Sequence, residues 1–442
     1  MSAAGTAGPL EDADVVVVGA GLAGLRCAGL LQAGGTRVRV LEAGDDVGGR
    51  VRADVVDGFR CERGFQVLNP AYPELGRAVD VAALRLRSFP AGVSVADTHG
   101  SHTVLDPRRS GGPAGLVATL RSATALRLGR PGEIAALLRW LADAARHDGE
   151  ELLSRPDEPW GAALDRRGVT GPLRDGVLGP FLAGVVGEDD GSTSHRFVQL
   201  LVRSFLRGTP ALPEDGMHRL PALLAATLAP GTVRLRTTVT AVRRAAGAGW
   251  RVETDDGSCT ARAVVVATDA AVASRLVGTP DPGVRALTTW WFAAEPDERR
   301  GRALHVDSQR RGPLVSSVDI SATVASAAPR GRSLIAATVL GVGTASEREV
   351  RHHLGLVHAG AAAWETVAVH PVAAALTRMP PPLQARRPVA WGDDLFVCGD
   401  HRDTASIQGA LVSGRRAATA LLDSWGTART PTQPATPSGP VG

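Results

Sequence analysis

The chain has 442 residues, of which 44% are hydrophobic, and this length is enough for two core-forming domains. Its formal net charge is +4, and every basic residue is an arginine, so no reaction of this protein can use a lysine side chain. The modest charge forms no concentrated basic stripe, which argues against nucleic-acid binding.

The sequence shows neither a membrane-spanning segment nor a secretory signal. No uninterrupted apolar stretch reaches the ~18 residues of a transmembrane helix, and residues 1–14 lack the apolar core of a signal peptide. The four cysteines lie far apart without a C-x-x-C pair, which predicts free thiols in a reducing cytoplasm. They are Cys27, Cys61, Cys259 and Cys398.

The first predicted elements form a nucleotide-binding pattern, after a polar tail over 1–13 that we expect to be disordered. Val15–Val18 is a β-branched run typical of a strand buried on both faces of a parallel sheet. Gly19, Gly21 and Gly24 follow with the spacing G-x-G-x-x-G, and a helix pattern begins among them. Such glycines allow a tight turn, the close approach of a pyrophosphate and close helix packing, while the helix N-terminus faces the phosphates.

A second strand, predicted over 37–41, ends on Glu42, which stands 18 positions after Gly24. An acidic residue at about this distance binds the ribose hydroxyls of a dinucleotide. Because strand, glycines, helix, strand and acid fall in this order, the sequence predicts dinucleotide binding rather than a chance glycine pattern.

The residues after Glu42 distinguish FAD from NAD. Residues 42–50 read EAGDDVGGR, which resembles the E-A-x-x-x-x-G-G-R extension of the flavin amine oxidase, phytoene desaturase and protoporphyrinogen oxidase superfamily. The resemblance implies that Gly49 and Arg50 lie along the FAD pyrophosphate, where Arg50 supplies a fixed positive charge. The alternative for this extension is a surface turn.

The next segment resembles the same superfamily. Alternation of apolar and polar residues over 51–69 predicts short strands with a hairpin turn at Asp57-Gly58. Gly64, Phe65 and Gln66 follow, and in the superfamily the matching segment passes the flavin ring and contacts it through backbone groups. The alternative is simple strand packing.

The middle of the chain predicts mainly helices and carries weaker functional signals. Residues 116–146 read as two arginine-rich helices broken at 130–132. The arginine side chains of these helices could form a face that contacts a membrane surface, although a solvated helix pair is the more common explanation. His195, at the start of a later amphipathic helix, is predicted to be solvated rather than a catalytic base.

The last third of the chain carries two further segments similar to the superfamily. A β-meander over 233–257 precedes a buried strand, and the resemblance implies that the backbone of Val239 meets the adenine. Residues 395–422 resemble the G-D…G-A…S-G-R-x-A-A motif, in which Asp400 would bind a ribityl or pyrophosphate oxygen.

A helix follows this motif. Ser406 is its predicted N-cap, and its N-terminus near Ile407 and Gln408 would point at the pyrimidine edge of the flavin, where a positive dipole end stabilises the reduced ring. His401 directly follows Asp400. A loop residue beside the ribityl chain is a simpler interpretation of it than a proton relay.

These segments predict an α/β fold with two domains, both discontinuous in sequence. One is a Rossmann-like FAD-binding domain, a parallel sheet with an inserted β-meander, and the other is an α+β substrate domain. The FAD-binding domain takes residues 14–75, 214–275 and 388–425, the substrate domain 76–213 and 276–387, and a second disordered tail 426–442.

The resemblance implies a set of cofactor-binding residues, whereas no catalytic residue and no metal ligand is assigned. The set is Gly19, Ala20, Gly21, Leu22, Ala23, Gly24, Glu42, Ala43, Gly49, Arg50, Gly64, Phe65, Gln66, Val239, Gly399, Asp400, Ser406, Ile407 and Gln408.

The predicted function is FAD-dependent oxidation of a small molecule, in which a hydride passes from a substrate C–H bond to flavin N5 and oxygen, a quinone or another acceptor removes the electrons. Amine oxidases of the superfamily use a lysine-held water and two aromatic rings, whereas this chain has no lysine and one tyrosine, Tyr72. Trp290, Trp291 or Trp391 would replace only one ring. We therefore expect a largely apolar substrate of the carotenoid or porphyrinogen kind, with a flavin amine oxidase as the alternative.

Two further alternatives stay open. One is a redox-neutral flavin isomerase, and the other is a non-catalytic binding protein, although such proteins lose the glycine motif and the terminal aspartate that this chain keeps. Cys398 lies in the strand before the C-terminal motif and not at the position used for covalent attachment, so we expect non-covalent FAD. The expected location is cytoplasmic, with weak association to a membrane surface as the alternative.

Overall fold

The secondary structure follows from a computed structural model that describes residues 11–105 and 130–426. Its strands are β1 (Ala13–Val18), β2 (Val38–Leu41), β3 (Ala53–Val56), β4 (Phe59–Glu62), β5 (Leu86–Ser88), β6 (Gly92–Asp97), β7 (Gly100–Leu105), β8 (Ala211–Pro213), β9 (Val233–Arg234), β10 (Val239–Arg244), β11 (Trp250–Thr254), β12 (Gly257–Val266), β13 (Val284–Ala294), β14 (Leu304–Asp307), β15 (Leu314–Asp319), β16 (Ser333–Leu340), β17 (Glu365–Thr377), β18 (Ala390–Gly392) and β19 (Leu395–Val397). Its helices are α1 (Leu22–Ala33), α2 (Leu75–Ala78), α3 (Pro131–Arg146), α4 (Gly149–Ser154), α5 (Trp160–Arg166), α6 (Gly171–Leu173), α7 (Gly179–Val186), α8 (His195–Arg207), α9 (Arg219–Ala225), α10 (Ala270–Val277), α11 (Glu347–Val357) and α12 (Ile407–Ser424).

The first of two large sheets has eight strands and carries the glycine-rich segment. β1 lies between β2 and β12, and both pairings are parallel. On one side β9 pairs in parallel with β2, and on the other side β19 pairs in parallel with the C-terminal half of β12. β10, β11 and the N-terminal half of β12 form an antiparallel meander. This arrangement agrees with the predicted α/β class and its inserted meander.

The residues of β1 explain its central position. Val15 and Val17 pack against α1 on one face of the sheet, while Val16 and Val18 pack into a second core on the other face. A strand that is β-branched at each of these positions suits burial on both faces. A Cβ on Gly414 would lie 2.3 Å from the carbonyl oxygen of Ala23, so α12 packs directly on α1 over this core.

The second sheet has seven strands in the order β17-β13-β16-β15-β14-β6-β7. Its neighbours are antiparallel except for the parallel pair of β14 and β6. Trp291 and Ala293 of β13 pack into the core shared with α1, whereas Phe292 and Ala294 pack beneath α11. One face of this sheet therefore packs against the unit that contains β1 and α1, and the division into two domains stays a prediction.

The ordered chain begins earlier than the predicted tail 1–13 allows. Ala13 opens β1 and pairs with Ala261, and the carboxylate of Asp12 accepts a hydrogen bond from the Thr260 N–H at 2.8 Å. Pairing with β12 therefore extends β1 into the predicted tail. Residues 1–10 and 427–442 lie outside the described residues, so the rest of both tails stays a prediction.

The helical region corrects one expectation. His195 begins α8, but it is buried rather than solvated, and its Nε2 accepts a hydrogen bond from the Trp140 indole at 2.9 Å. The reason is that the buried face of α8, which packs on α3, starts at its first residue. Helix α3 begins at Pro131, as the predicted break implies, while 106–129 lie outside the described residues. None of the helices in the described ranges is both long and apolar enough to span a membrane.

Candidate functional site

The turn between β1 and α1 contains three glycines: neighbouring atoms pack closely around Gly19 and Gly24, whereas the space in front of Gly21 is open. Gly19 has φ +104°, and a Cβ there would lie 2.9 Å from the carbonyl oxygen of Ala267. A Cβ on Gly24 would lie 2.0 Å from the Gly19 carbonyl oxygen, so the protein's own packing requires both glycines. Gly21 precedes α1, and a Cβ there would meet no atom within 4 Å.

The start of α1 is a ready anion site. The first backbone N–H groups of a helix have no partner within it, and no side chain caps α1 at Gly21. The neighbouring side chains of Ala20, Leu22 and Ala23 are buried, so only their backbone groups are offered at the turn. Together with the positive end of the helix dipole, these N–H groups favour a phosphate.

Glu42 is held rigidly beside this turn. Its Oε2 accepts a hydrogen bond from the Ala20 N–H at 2.7 Å, and its Oε1 accepts one from the Gly44 N–H at 2.8 Å. Each carboxylate oxygen has a second lone pair, so the group can still accept hydrogen bonds from a diol. The Thr237 N–H donates to the Glu42 carbonyl at 2.9 Å just before β10, whose first residue is Val239. The two predicted residues for the adenosine part therefore lie at the same end of the site.

The glycine pair after Glu42 folds back on the first turn. The Gly48 N–H donates to the Ala20 carbonyl at 2.9 Å. Gly49 has φ +60°, and a Cβ there would lie 3.4 Å from the Cα of Gly21. The predicted extension thus lines the opening in front of Gly21, whereas the Ala43 side chain is exposed to solvent.

Arg50 and Asp400 meet from opposite ends of the chain. Nη2 of Arg50 lies 2.6 Å from Oδ1 of Asp400, and its Nη1 donates to the Ala375 carbonyl at 3.0 Å. The Thr377 hydroxyl donates to Oδ2 of Asp400 at 3.1 Å. Burial opposes ionisation of Asp400, but the charge and hydrogen bond of Arg50, with Thr377, outweigh it and hold the pKa of Asp400 below its usual range. Asp400 is therefore an anchored carboxylate at neutral pH.

Residues 64–66 connect this pair to the second sheet. Nε2 of Gln66 donates to the Arg50 carbonyl at 2.8 Å, and the Phe65 N–H donates to the Thr289 hydroxyl of β13 at 3.1 Å. Gly64 has φ +93° at the start of the segment. The segment predicted to pass the flavin ring therefore lies between Arg50 and β13.

The start of α12 supplies a second helix N-terminus. Oγ of Ser406 accepts a hydrogen bond from the Gly409 N–H at 3.0 Å, which confirms the predicted N-cap. The N–H groups of Ile407 and Gln408 have no partner within the helix. The Gln408 side chain is already engaged, since its Oε1 accepts a hydrogen bond from the Glu74 N–H at 3.0 Å. The side-chain oxygen of Gln408 is therefore occupied by a contact within the chain.

Three site residues escaped the sequence reasoning. Ser413 accepts a hydrogen bond from the Gly399 N–H at 2.9 Å, and it belongs to the S-G-R-x-A-A segment that could have revealed it. Thr377 and Thr289 come from strands of the second sheet. No local pattern marks them, because their roles depend on how β17 and β13 pack against distant residues.

The three tryptophans considered as walls of an amine site are engaged elsewhere. Trp291 is fully buried, and its indole N–H donates to Nδ1 of His370 at 3.0 Å. Trp391 lies at the surface with its N–H bonded to the Val277 carbonyl, and Trp290 is half-buried and packs against the core beneath α11. They do not form a ring pair around a substrate.

The cysteines are buried in the fold. All four are free thiols, and a hydrogen bond with Cys398, reinforced by burial, raises the pKa of Cys27. Over 11–105 and 130–426, no group of three His, Cys, Asp or Glu side chains is placed to hold a metal ion.

The residues that are present fit a flavin dinucleotide. A Cβ on Gly21 would meet no atom within 4 Å, as the close approach of a pyrophosphate requires, and Glu42 and Asp400 carry carboxylate oxygens that can accept hydrogen bonds from hydroxyl groups. These groups lie along the carboxyl ends of parallel strands β1, β2 and β19, which is where ligands bind in open α/β sheets.

Comparisons with known proteins agree with this geometry. The model of the flavin-containing amine oxidoreductase family matches residues 22–422. A putrescine oxidase of Kocuria rosea is 40% identical over 136 residues, which are 30% of this chain and 28% of that protein. The chloroplastic/mitochondrial protoporphyrinogen oxidase 2 of Arabidopsis thaliana is 39% identical over 71 residues, which are 16% of this chain and 14% of that protein. These alignments span less than a third of each relative's length.

Solved structures share the whole fold. A putrescine oxidase bound to putrescine superposes with a TM-score of 0.67 at 18% identity, covering 94% of this chain and 99% of that chain. The cyclohexylamine oxidase of Brevibacterium oxydans IH-35A gives 0.66 at 17% identity, with 94% and 100% covered. At these identities the likeness shows the fold alone, and it confirms the predicted fold class. Because the family match extends over 22–422, the chain belongs to the flavin-containing amine oxidoreductase family.

Proposed function

We propose that this protein is an oxidoreductase that binds FAD without a covalent bond. The observation that carries the proposal is the convergence of Gly21, Glu42 and the Arg50–Asp400 pair along one edge of the first sheet. They come from both ends of the chain and offer the opening, the acceptors and the positive charge that a flavin dinucleotide requires.

Each part of the site has one role in this proposal. Glu42 accepts hydrogen bonds from the ribose, the backbone at Val239 meets the adenine, and the start of α1 binds the pyrophosphate beside Arg50. Asp400 accepts a hydrogen bond from the ribityl chain. The segment 64–66 passes the ring, and the positive end of α12 faces its pyrimidine edge.

The proposed reaction is oxidation of a C–H bond. When bound, the flavin supplies hydride acceptance, and oxygen, a quinone or another acceptor then removes the electrons. The protein's part is to hold the substrate against the ring and to exclude water. Phe65 supports this, since it packs edge-to-face on Phe89 with ring centroids 6.4 Å apart, beside the hydrogen bond of its own N–H to Thr289.

We propose a largely apolar small-molecule substrate of the carotenoid or porphyrinogen kind. Two facts support this choice: the chain has no lysine to hold a water molecule, and the candidate tryptophans are engaged in core or surface contacts. Oxidation of an amine is the second candidate. The observation that favours it is the 40% identity to a putrescine oxidase over 136 residues.

The cysteines support two finer proposals. Cys398 is fully buried in the core shared with Cys27, away from solvent, which favours non-covalent flavin. Four free thiols favour a cytoplasmic location. For weak contact with a membrane surface, the support is that Ile134 and Leu138 lie exposed one turn apart on α3 beside the exposed Arg139.

The experiment that tests the central proposal is an absorption spectrum of the purified protein before and after acid precipitation. We expect two flavin bands and release of FAD into the supernatant. A colourless protein that also fails to take up added FAD would overturn the proposal. Anaerobic titration with porphyrinogens, carotenoids and amines then separates the substrate classes, because only a substrate bleaches the flavin bands, and a redox-neutral isomerase leaves them unchanged.

A further inference from the structure

A buried glutamate ends the hairpin that leads to residues 64–66. Glu62 is the last residue of β4 and is 5% exposed. Its Oε1 accepts a hydrogen bond from the Met217 N–H at 2.9 Å, while its Oε2 is buried and has no hydrogen-bond partner among the residues that the structure describes. A side chain to which the proposed site gives no role thus joins the β3–β4 hairpin to the turn 214–218, which precedes α9.

This turn packs tightly on Glu62 and continues toward the first glycine motif. Gly216 has φ +92°, and a Cβ there would lie 2.9 Å from Oε1 of Glu62. In α9, Cγ of Pro221 lies 3.0 Å from the point at which a Cβ on Gly48 would stand. The same stretch of chain therefore supports residues 64–66 through Glu62 and the turn at Gly48 through Pro221.

The charged groups around Glu62 leave its carboxyl unpaired. On β4, Arg60 directs its Nη1 to a backbone carbonyl of the turn at 3.4 Å. On the turn itself, Asp215 pairs with Arg85. Burial lowers the pKa of His218, so its ring is uncharged at neutral pH. None of these side chains bonds to Glu62 within 11–105 and 130–426.

The acidic groups of the hairpin are neutral or already paired. Asp54 of β3 pairs with Arg63 at 2.8 Å, and burial raises the pKa of the Cys61 thiol to about 12. Burial likewise raises the pKa of Glu62 to about 7, although the hydrogen bond from the turn and the charge of Arg60 oppose it. An ionised Glu62 would be a buried charge with one hydrogen bond, whereas the neutral carboxyl avoids most of that cost.

We propose that Glu62 is a positioning residue of the flavin site, which in its protonated form joins the β3–β4 hairpin to the turn 214–218 and so fixes residues 64–66 against the ring. This inference rests on the proposed function, in which residues 64–66 pass the flavin. Ionisation of Glu62 places an uncompensated charge in this joint, so FAD binding weakens as the pH rises. Glu62 touches neither flavin nor substrate in this assignment.

The test compares the wild type with Glu62→Gln and Glu62→Met. Glutamine keeps an oxygen for the Met217 N–H and cannot ionise, whereas methionine fills a similar space and removes the acceptor. FAD is titrated into each apoprotein between about pH 6 and pH 9, and chemical denaturation of each apoprotein is followed between about pH 4 and pH 8. Glu74→Gln is the control, since Glu74 is also buried but pairs with Arg26 and Arg415.

We expect the FAD affinity of the wild type to fall about tenfold across this range, while that of Glu62→Gln stays within about threefold of its value at the acid end. Glu62→Met binds FAD about tenfold more weakly than the wild type at the acid end and shows no such fall, because the Met217 N–H has lost its acceptor. Recovery by glutamine of the affinity that methionine loses separates positioning from the filling of space.

The apoprotein gives a result that does not depend on flavin. The pKa of Glu62 in the fold, about 7, lies above its usual value of 4.5, so its stabilisation is complete below the usual value and lost as the pH rises to about 7. Glu62→Gln should therefore gain stability relative to the wild type over this interval, on the order of 100-fold in the unfolding equilibrium constant, with no further gain above it. Glu74→Gln should lose stability at every pH.

A wild-type FAD affinity that stays level with pH, or falls equally in Glu62→Gln, would overturn the inference. Equal affinities of Glu62→Gln and Glu62→Met at the acid end would also contradict it. If Glu62→Gln does not fold, a level profile in Glu62→Met beside a falling wild type supports the inference, and an equal fall contradicts it. A wild type that binds no flavin overturns the proposed function, while the stability profile still reports the ionisation of Glu62, so the two failures are distinguishable.

Discussion

The two ends of the candidate site are built in different ways. At the Glu42 end, formed by Ala20, Glu42 and Gly44, backbone N–H groups fix the carboxylate within one stretch of chain. At the Asp400 end, formed by Arg50, Thr377 and Asp400, side chains from three distant segments fix it. The first end takes its carboxylate contacts from residues 20–44 alone, whereas the second exists only when both sheets have packed together.

The Glu42 end is thus preorganised by local structure, whereas the Asp400 end is assembled by tertiary contacts. A carboxylate held by backbone amides costs little to keep in place, because the strands and the turn are already ordered. A carboxylate held by an arginine and a threonine depends on the ordering of long side chains and on exclusion of water. The Asp400 end should therefore respond to mutation in the second sheet more strongly than the Glu42 end, and the lowered pKa of Asp400 makes that end sensitive to acid.

The largest expected effect comes from blocking the open space in front of Gly21, which lies between the Glu42 end and the Asp400 end. Gly21→Val places a side chain in the open space, so we expect FAD affinity to fall about 100-fold or more, equal to about 2.7 kcal/mol. The melting temperature of the apoprotein should stay within error of wild type. Flavin titration and thermal melts measure both quantities.

Gly24→Ala is the contrasting variant: its Cβ would lie 2.0 Å from the Gly19 carbonyl oxygen, so we expect loss of the fold itself. A Gly21→Val protein that binds FAD normally would contradict the site.

Removing the arginine should weaken only the Asp400 end. Arg50→Gln leaves Asp400 buried beside a neutral partner, and we expect unfolding free energy to fall by about 1–3 kcal/mol, since Arg50 is 37% exposed and the pair is partly screened. The pKa of Asp400 in the fold lies below its ordinary value. Its stabilisation is therefore present at neutral pH and lost as the pH falls through the folded pKa. The difference between wild type and variant should thus shrink below about pH 4.

Chemical denaturation at several pH values measures this difference. Arg37→Gln removes an exposed partner of Asp14 and serves as the control, with an expected change within about 0.5 kcal/mol. A difference between wild type and Arg50→Gln that stays constant down to pH 3 would show that Asp400 does not depend on Arg50.

A conservative change at Glu42 tests the contribution of the carboxylate at the other end of the site. Glu42→Gln keeps one carbonyl oxygen for a backbone N–H but removes the negative charge and two acceptor positions. We expect FAD affinity to fall about tenfold, or ~1.4 kcal/mol. Isothermal titration of FAD measures the loss. An equal loss with FMN, which has no adenosine, would contradict the placement of Glu42 at the ribose.

The smallest expected effect concerns the segment between the site and the second sheet. His370 accepts a hydrogen bond from Trp291 at Nδ1 and pairs through Nε2 with Asp54 at 3.0 Å, which fastens the β3–β4 hairpin to β17. Hydrogen bonds from Arg63 lower the pKa of Asp54. Asp54→Asn should lower the unfolding free energy by less than ~1 kcal/mol, because the pair is half-exposed. A melt and a flavin spectrum check this, and complete loss of flavin binding would show that the hairpin does more than position residues 64–66.

The sequence predicted the parts of this molecule that depend on local pattern. The glycine spacing, the buried run Val15–Val18 and the N-cap Ser406 each follow from residues within a few positions, and the structure places them as predicted. The hairpin at Asp57-Gly58 also forms, with positive φ at both residues.

The remaining features depend on contacts between distant residues. The pattern around His195 identified a helix start, but whether that start is solvated depends on Trp140, which belongs to another helix. Thr377 acquires its role only because β17 ends beside Asp400. The Gln408 side chain is engaged by Glu74, which no spacing within the C-terminal motif predicts. Burial and partner identity at such positions follow from packing.

The close packing of α12 on α1, with Gly414 against Ala23, has a consequence for biosynthesis. Domains emerge from the ribosome N-terminal end first, so β1 and α1 are made long before β12, β19 and the helix that covers them. Until residues 395–424 have been synthesised, the apolar faces of β1 and α1 lack their final neighbours and Asp400 is absent. The proposed cofactor can therefore be fully bound only late in synthesis, and the protein's demand for chaperones should be greatest while its first motif is complete and its last is not.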